Sequence, residues 1–149
     1  MTSTPIRSDA GLATALRISV SRLARRLRVE RVAPGQEPVL SDTQFAALAT
    51  LEKHGAMSPG ELAGHERVQP PSMTRVIAAL LEWQLVTRTA HASDRRQVVL
   101  TVTPAGLELL ARSRRRRDAW LAKRLNELTP QERATLRAAA PILEKLSQS

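Results

Sequence analysis

Apolar residues recur at helical spacing along residues 12–31, at Leu12, Leu16, Val20, Leu23 and Leu27. Arg17, Arg22, Arg25, Arg28 and Arg31 take the other side, so the pattern predicts a long amphipathic helix. The stretch Ala33-Pro34-Gly35-Gln36-Glu37-Pro38 breaks it. Ser41-Asp42-Thr43-Gln44 reads as a capping box opening a helix with Phe45, Leu48 and Leu51 on one face. Gly55 is placed to end that helix in a left-handed turn. Ser58-Pro59-Gly60-Glu61 reads as a second capping box, with proline at the first helical position, and opens a short helix containing Leu62 and Ala63.

Prolines 70 and 71 suit a first helical turn, whose amides have no partner inside the helix. Met73, Val76, Ile77, Leu80 and Leu81 then make one apolar face of a helix running to about Trp83. There the period changes. Residues 85–89 and the β-branched run 97–102 read as paired strands, and the polar residues 90–96 between them as a hairpin tip. Thr103-Pro104 starts a long helix to about Glu127, and Thr129-Pro130-Gln131-Glu132 caps a last one carrying Leu136, Ala139, Ala140, Leu143 and Leu146.

At 149 residues with 42% hydrophobic positions, the chain is long enough for a packed core. Absence of cysteine removes disulfides, thiolate metal sites, catalytic thiols and thiol redox sensing from consideration. No apolar run approaches the roughly 20 residues of a membrane helix. The polar start, Met1 to Gly11 with Asp9, does not read as a signal peptide, so a cytoplasmic location is expected. The net charge of +9 favours a polyanionic partner. Its distribution qualifies that inference: residues 1–40 carry seven basic and three acidic groups, residues 41–103 six of each, and residues 104–149 ten and five. The excess lies on the flanks, so the case for nucleic acid must come from local pattern.

That pattern is a winged helix-turn-helix. A short helix braces a second one whose first turn can enter a major groove, and a hairpin tip lies alongside. With Met73 and Leu80 facing inward, as their apolar spacing requires, Pro71, Arg75, Ala78, Ala79 and Glu82 face away and Ser72 and Thr74 flank them. Arg75 can donate two bonds to a guanine edge, and Ser72 and Thr74 can bond bases or phosphates. In isolation Arg75 is an ordinary solvated helix charge; the arrangement makes it a reading residue. At the tip, Asp94-Arg95-Arg96 offers two guanidinium groups to a narrow groove, with an acid placed to hold one in a fixed rotamer.

The stretch from Leu40 to Gly106 resembles the MarR family of bacterial transcription regulators. The resemblance rests on Gln44-Phe45 with Leu48, Ser58 with Glu61-Leu62-Ala63, Ser72-Met73-Thr74-Arg75, Leu85-Val86, Asp94-Arg95-Arg96 and Thr103-Pro104-Ala105-Gly106. The flanking helices match the family in position and length. The resemblance implies a mainly α fold with a small β-hairpin, a winged helix-turn-helix between long dimerisation helices. Residues 1–40 are then an N-terminal dimerisation segment, 41–103 the DNA-binding domain and 104–149 the C-terminal dimerisation helices. It assigns major-groove roles to Gln69, Pro71, Ser72, Thr74 and Arg75, and wing roles to Asp94, Arg95 and Arg96. Ser58 and Arg88 become phosphate candidates. Where the family usually has glycine after the second helix, Trp83-Gln84 stands, so Gln84 must turn left-handed or the helix must end differently. Val102 replaces the usual leucine without consequence.

The resemblance further implies a homodimer, because the apolar stripes of the first and last two helices exceed what one small core covers. Two reading helices about one DNA turn apart then imply an inverted-repeat operator with half-sites about 10 bp apart. It also implies a ligand-responsive repressor whose small anionic or lipophilic effector sits in a crevice lined by the first, second and fifth helices. Arg17 is one candidate carboxylate partner, and Phe45, Trp83 and Trp120 are the only aromatic residues besides histidine, so stacking is limited. His54, His65 and His91 are far apart in sequence and lack metal-ligand spacing, so neither a metal nor a cofactor is expected. Arg112 and Arg114 to Arg117 spread around their helix and read as a solvated face, with phosphate contact or crevice lining as the other readings. No nucleophile–base pair, carboxylate pair or phosphate loop is present, so an enzyme is not expected. Two other classes stay open: a sequence-neutral basic nucleic-acid-binding protein, and a winged-helix module for protein interaction.

Overall fold

The computed structural model describes residues 6–149. Helix α1 spans Asp9–Val29, α2 Asp42–His54, α3 Pro59–Glu66 and α4 Pro70–Glu82. Strands β1 (Val86–Ala90) and β2 (Val98–Val102) form an antiparallel hairpin, with Val86 opposite Val102 and Ala90 opposite Val98. Helices α5 (Pro104–Asn126) and α6 (Pro130–Ser147) complete the chain. The predicted order of elements holds, with boundaries shifted by a few residues. The first helix begins at Asp9 because the Ser8 hydroxyl accepts from the Gly11 amide at 3.1 Å, and it ends two residues before Arg31.

The caps explain why the helices start where they do. At α2 the Ser41 hydroxyl accepts from the Gln44 amide at 3.1 Å, and the Gln44 side-chain oxygen accepts from the Ser41 amide at 3.0 Å. At α6 the Thr129–Glu132 pair is equally reciprocal. The box expected at α3 is half formed. Ser58 accepts from the Glu61 amide at 3.1 Å, but its hydroxyl donates to the Glu61 carboxylate, which does not reach back to the backbone. Gly55 has φ +83° and ψ −170°, an extended left-sided conformation open only to glycine rather than a left-handed helical turn.

One core holds the winged unit together. Phe45, Leu48 and Leu51 from α2, Leu62 from α3, Met73, Ile77 and Leu80 from α4, Leu85, Val86 and Leu100 from the hairpin, and Leu109 and Leu110 from α5 are all buried in it. Each large side chain buried there is worth about 2 kcal/mol. Met57 pairs with Leu100 as an isolated bridge, its amide donating to the Leu100 carbonyl at 3.3 Å and its carbonyl accepting from the Leu100 amide at 2.8 Å. This third sheet segment escapes sequence reading because a single bridge has no periodicity. Leu109 and Leu110 lie beyond position 103, so the first turns of α5 pack as part of the winged unit. Helices α1 and α6 contain no buried residue.

The junction after α4 resolves the missing glycine. Gln84 has φ +56°, and the helix ends with the paired bonds of a Schellman motif. The Leu85 amide donates to the Leu80 carbonyl at 2.9 Å and the Gln84 amide to the Leu81 carbonyl at 3.0 Å. Glycine is required instead at 106, where an added Cβ would meet the Leu85 carbonyl and come within 2.7 Å of Val102 Cγ1. Replacing Gln84 by glycine is expected to raise stability by about 0.5–1 kcal/mol, left-handed relief outweighing unfolded-state entropy. Gly106→Ala is expected to lower it by about 2 kcal/mol through overpacking. Thermal denaturation followed by circular dichroism checks both, and a Gln84→Gly variant no more stable than the parent contradicts the strain at that position.

Candidate nucleic-acid interface

Helix α4 has a clean division of faces. Met73, Val76, Ile77 and Leu80 are buried, while Pro71, Ser72, Thr74, Arg75, Ala78 and Glu82 are exposed. Ala79, expected to face outward, is half-buried at the edge. The turn into the helix is tight. Arg67 takes φ +52° and the Val68 amide donates to the Ala63 carbonyl at 3.0 Å, which aims Gln69 and the α4 N-terminus outward. Gln69 stands at the N-cap with no side-chain capping bond, so its amide stays free to engage another molecule. Thr74 differs from expectation: its hydroxyl donates back to the Pro70 carbonyl at 3.0 Å, leaving its oxygen lone pairs and methyl to face outward. Arg75 forms no ion pair among the described residues.

The hairpin tip is built on its own hydrogen bonds. The His91 amide donates to the Gln97 carbonyl at 2.8 Å and the Gln97 amide to the Asp94 carbonyl at 3.0 Å. His91 Nδ1 accepts from the Ser93 amide at 3.1 Å. Asp94 does not hold an arginine rotamer. Its Oδ1 accepts from the Arg96 backbone amide at 3.0 Å, a local turn bond, and neither Arg95 nor Arg96 pairs with a carboxylate among the described residues. The acid fixes the backbone beneath the two guanidinium groups and leaves both exposed. Arg88 is exposed on β1, whereas the Ser58 hydroxyl is already engaged at the α3 cap, which weakens it as a phosphate donor.

The flanking arginines do structural work that sequence reasoning missed. Arg114 forks onto the Glu52 carboxylate of α2, and that hydrogen bond holds its pKa above the ordinary value. Arg116 reaches Glu30 at 3.5 Å and Arg31 reaches Asp42 at 2.9 Å. The partners lie 62, 86 and 11 positions away, beyond any local spacing signal. Arg31 and Arg117 also lie over the Phe45 ring, at 4.2 and 5.3 Å from its centroid. Burial lowers the pKa of both, with Arg117 and Arg28 adding like-charge repulsion at Arg31, and Arg114 doing so at Arg117. The reading of this run as a solvated face therefore holds for Arg115, exposed beside Glu108, whereas Arg112 is exposed but lines the crevice against the winged unit.

Two further expectations change. His54 and His65 are brought together, with ring centroids 4.9 Å apart, although no cluster of three metal-ligating side chains forms among the described residues. Arg17 lies in a groove with Leu16, Val20, Leu143 and Leu146, between α1 and α6, and not in the crevice against the winged unit. That crevice is lined by Arg31, Leu40, Phe45, Leu109, Arg112 and Arg116. The faces of Phe45 and of the half-buried Trp120 near it are already covered, since Arg26 and Arg124 each lie 5.2 Å from the Trp120 centroid.

The tip geometry yields a test. Asp94→Ala is expected to speed amide exchange at Arg96 about fivefold, the loss of roughly 1 kcal/mol of hydrogen bonding. Asp94→Asn keeps an acceptor oxygen and is expected to retain the protection. Equal loss in both variants, read by hydrogen-exchange NMR, argues for a charge role instead.

The comparisons with known proteins agree with this architecture. The MarR family model matches residues 40–98. An uncharacterized HTH-type transcriptional regulator of Mycobacterium leprae is 49% identical over 95% of this chain and 97% of that protein. The HTH-type transcriptional repressor MdtR of Bacillus subtilis is 28% identical over 97% of this chain and 91% of its own. Among solved structures, a candidate transcriptional regulator of Pseudomonas aeruginosa superposes with a TM-score of 0.81 at 32% identity, over 95% of this chain and 97% of that one. No helix among the described residues is long and apolar enough to cross a membrane. The chain belongs to the MarR family, whose members are winged-helix DNA-binding transcription regulators and not enzymes.

Proposed function

We propose that the protein is a homodimeric, ligand-responsive repressor that reads an inverted-repeat operator through α4 and the hairpin tip. The observation that carries the reading is the outward face of α4. Gln69, Pro71, Ser72 and Arg75 project from a helix whose other face is locked in the core, and no other element covers them. Small residues along that face let the helix approach a groove floor. Arg75 is free for a bidentate bond to guanine, and Arg95 and Arg96 suit the adjacent minor groove. Thr74 contributes its methyl and lone pairs, Asp94 stiffens the tip, and Arg88 is the better of the two phosphate candidates. The name of MdtR, a repressor, supports the sign of regulation.

The dimer reading rests on unpartnered apolar surface. Leu12, Val20 and Leu23 of α1 and Leu136, Ile142, Leu143 and Leu146 of α6 are all exposed in one chain. A second copy covers such faces symmetrically and sets the two α4 helices about one DNA turn apart.

An anionic effector is supported by surplus donors near the crevice. Arg31 Nε, Arg116 Nε and Trp120 Nε1 are buried without an acceptor, and Arg112 lines both the crevice and the adjoining groove. A carboxylate there satisfies donors that the protein leaves open.

Two measurements test the proposal. Light scattering at micromolar concentration is expected to give twice the chain mass. Fluorescence anisotropy with duplexes selected in vitro from a random pool is expected to show a ten- to hundredfold affinity loss for Arg75→Ala, about 1–3 kcal/mol. Arg96→Ala is expected to lose affinity alongside it. Full affinity in the double variant overturns DNA reading through α4 and the tip, failure to select any binding duplex supports a protein-interaction module, and equal affinity for selected and random duplexes supports a sequence-neutral binder. For the effector, millimolar benzoate is expected to release the duplex from the parent protein but not from Arg112→Gln. An amide NMR spectrum unmoved by benzoate overturns the carboxylate reading.

A further inference from the structure

The junction between α4 and α5 contains more directed bonding than chain continuity requires. Thr103 supplies most of it. Its hydroxyl has one proton and two lone pairs. The proton goes to the Gln84 carbonyl at 2.7 Å, and a lone pair accepts from the Gly106 amide at 3.1 Å. Its backbone amide donates to the Leu85 carbonyl at 3.0 Å. That same carbonyl rests against Gly106, the one position in α5 where a Cβ has no room. One side chain therefore ties the last turn of α4, through its left-handed terminus at Gln84, to the first turn of α5.

The remaining links between α5 and the winged unit differ in kind. Leu109 and Leu110 sit in the core, where apolar contact is non-directional and permits small rotations. The Arg114–Glu52 fork joins α5 to α2 through long side chains, one exposed and one half-exposed, so its two hydrogen bonds can follow a small rotation. A hydrogen bond from the short Thr103 side chain, by contrast, cannot follow such a rotation and weakens steeply off axis. Thr103 is thus the directional element of the junction. Helix α5 is a long lever: it has 23 residues, about 35 Å at 1.5 Å per residue. A 5° error at its base displaces the far end by about 3 Å, enough to misalign two half-sites held about 34 Å apart.

We infer that Thr103 is a positioning residue for DNA reading: its hydroxyl bridge from α5 to the Gln84 carbonyl fixes the angle between α4 and α5. The inference rests on the proposed role of α4 as reading helix and of α5 as part of the dimer frame. Capping α5 and bridging to α4 are separable functions of the one hydroxyl. Thr103→Val removes both with little change of shape. Thr103→Asp keeps a good helix cap but, ionised, has no proton for the Gln84 carbonyl. Thr103→Ser keeps both.

Pulsed electron–electron double resonance tests the angle directly. The chain has no cysteine, so Glu82→Cys on α4 and Ala122→Cys on α5, both exposed, place two spin labels without further change. Doubly labelled protein diluted into unlabelled protein reports the distance within one chain. A single narrow distribution is expected for the parent and for Thr103→Ser. At least a twofold broadening is expected for Thr103→Val and Thr103→Asp. Thr129→Val, which removes the α6 cap hydroxyl but touches nothing in α4, is expected to leave the width unchanged. Parental width in Thr103→Asp overturns the inference, because the cap alone then suffices. That result stays readable if the valine variant fails to fold. Singly labelled Glu82→Cys protein, undiluted, reports between protomers. Absence of any dipolar coupling there refutes the dimer reading and leaves the test within the chain intact.

Discussion

Everything presented to a partner depends on how α4 is anchored. A 13-residue helix is marginal alone. It persists because Met73, Val76, Ile77 and Leu80 are buried against α2, α3 and the hairpin. That single apolar face also fixes the rotation of the helix about its axis. Turning it by one residue, about 100°, would drive Arg75 or Thr74 toward the core at the cost of desolvating a charge or a hydroxyl. The outward set at Gln69, Pro71, Ser72 and Arg75 is therefore a consequence of core packing.

Charge is used in two ways along the chain. The tip arginines and Arg75 are left free of carboxylates, and the acid among them is spent on backbone geometry. The arginines of the α5 run are instead drawn inward by Glu52, Glu30 and the Phe45 ring. The net positive charge is a poor guide to the interface for that reason. Much of the excess stiffens the joint between the winged unit and the long helices. The residual donors there, Arg31 Nε, Arg116 Nε and Trp120 Nε1, form the least satisfied polar region among the described residues.

Local signals made much of the fold legible. Capping residues, proline at first helical turns and apolar periodicity act over four to eight positions, so helix order and the hairpin were readable to within a few residues. The division of α4 into faces followed from spacing, except at Ala79, which was expected outward and is half-buried. Gln84 was legible as a conflict, since a non-glycine residue stood where the chain had to turn left-handed. Its resolution was not, because the bonds from Leu85 to Leu80 and from Thr103 to Gln84 depend on where the chain returns.

What the sequence determined by itself was the set of helices, the hairpin and the inward and outward faces of α4, all fixed by short-range sterics and period. Only the tertiary structure decided the rest: that Asp94 bonds the backbone of Arg96, that Ser58 and Thr74 have committed hydroxyls, and that His54 meets His65. It likewise decided that Gly106 closes on Leu85 and that Arg114 and Arg116 find partners more than 60 positions away. The physical reason is the same in each case. Hydrogen bonds and ion pairs select partners by distance and angle in space, and neither quantity is written in the local order of residues.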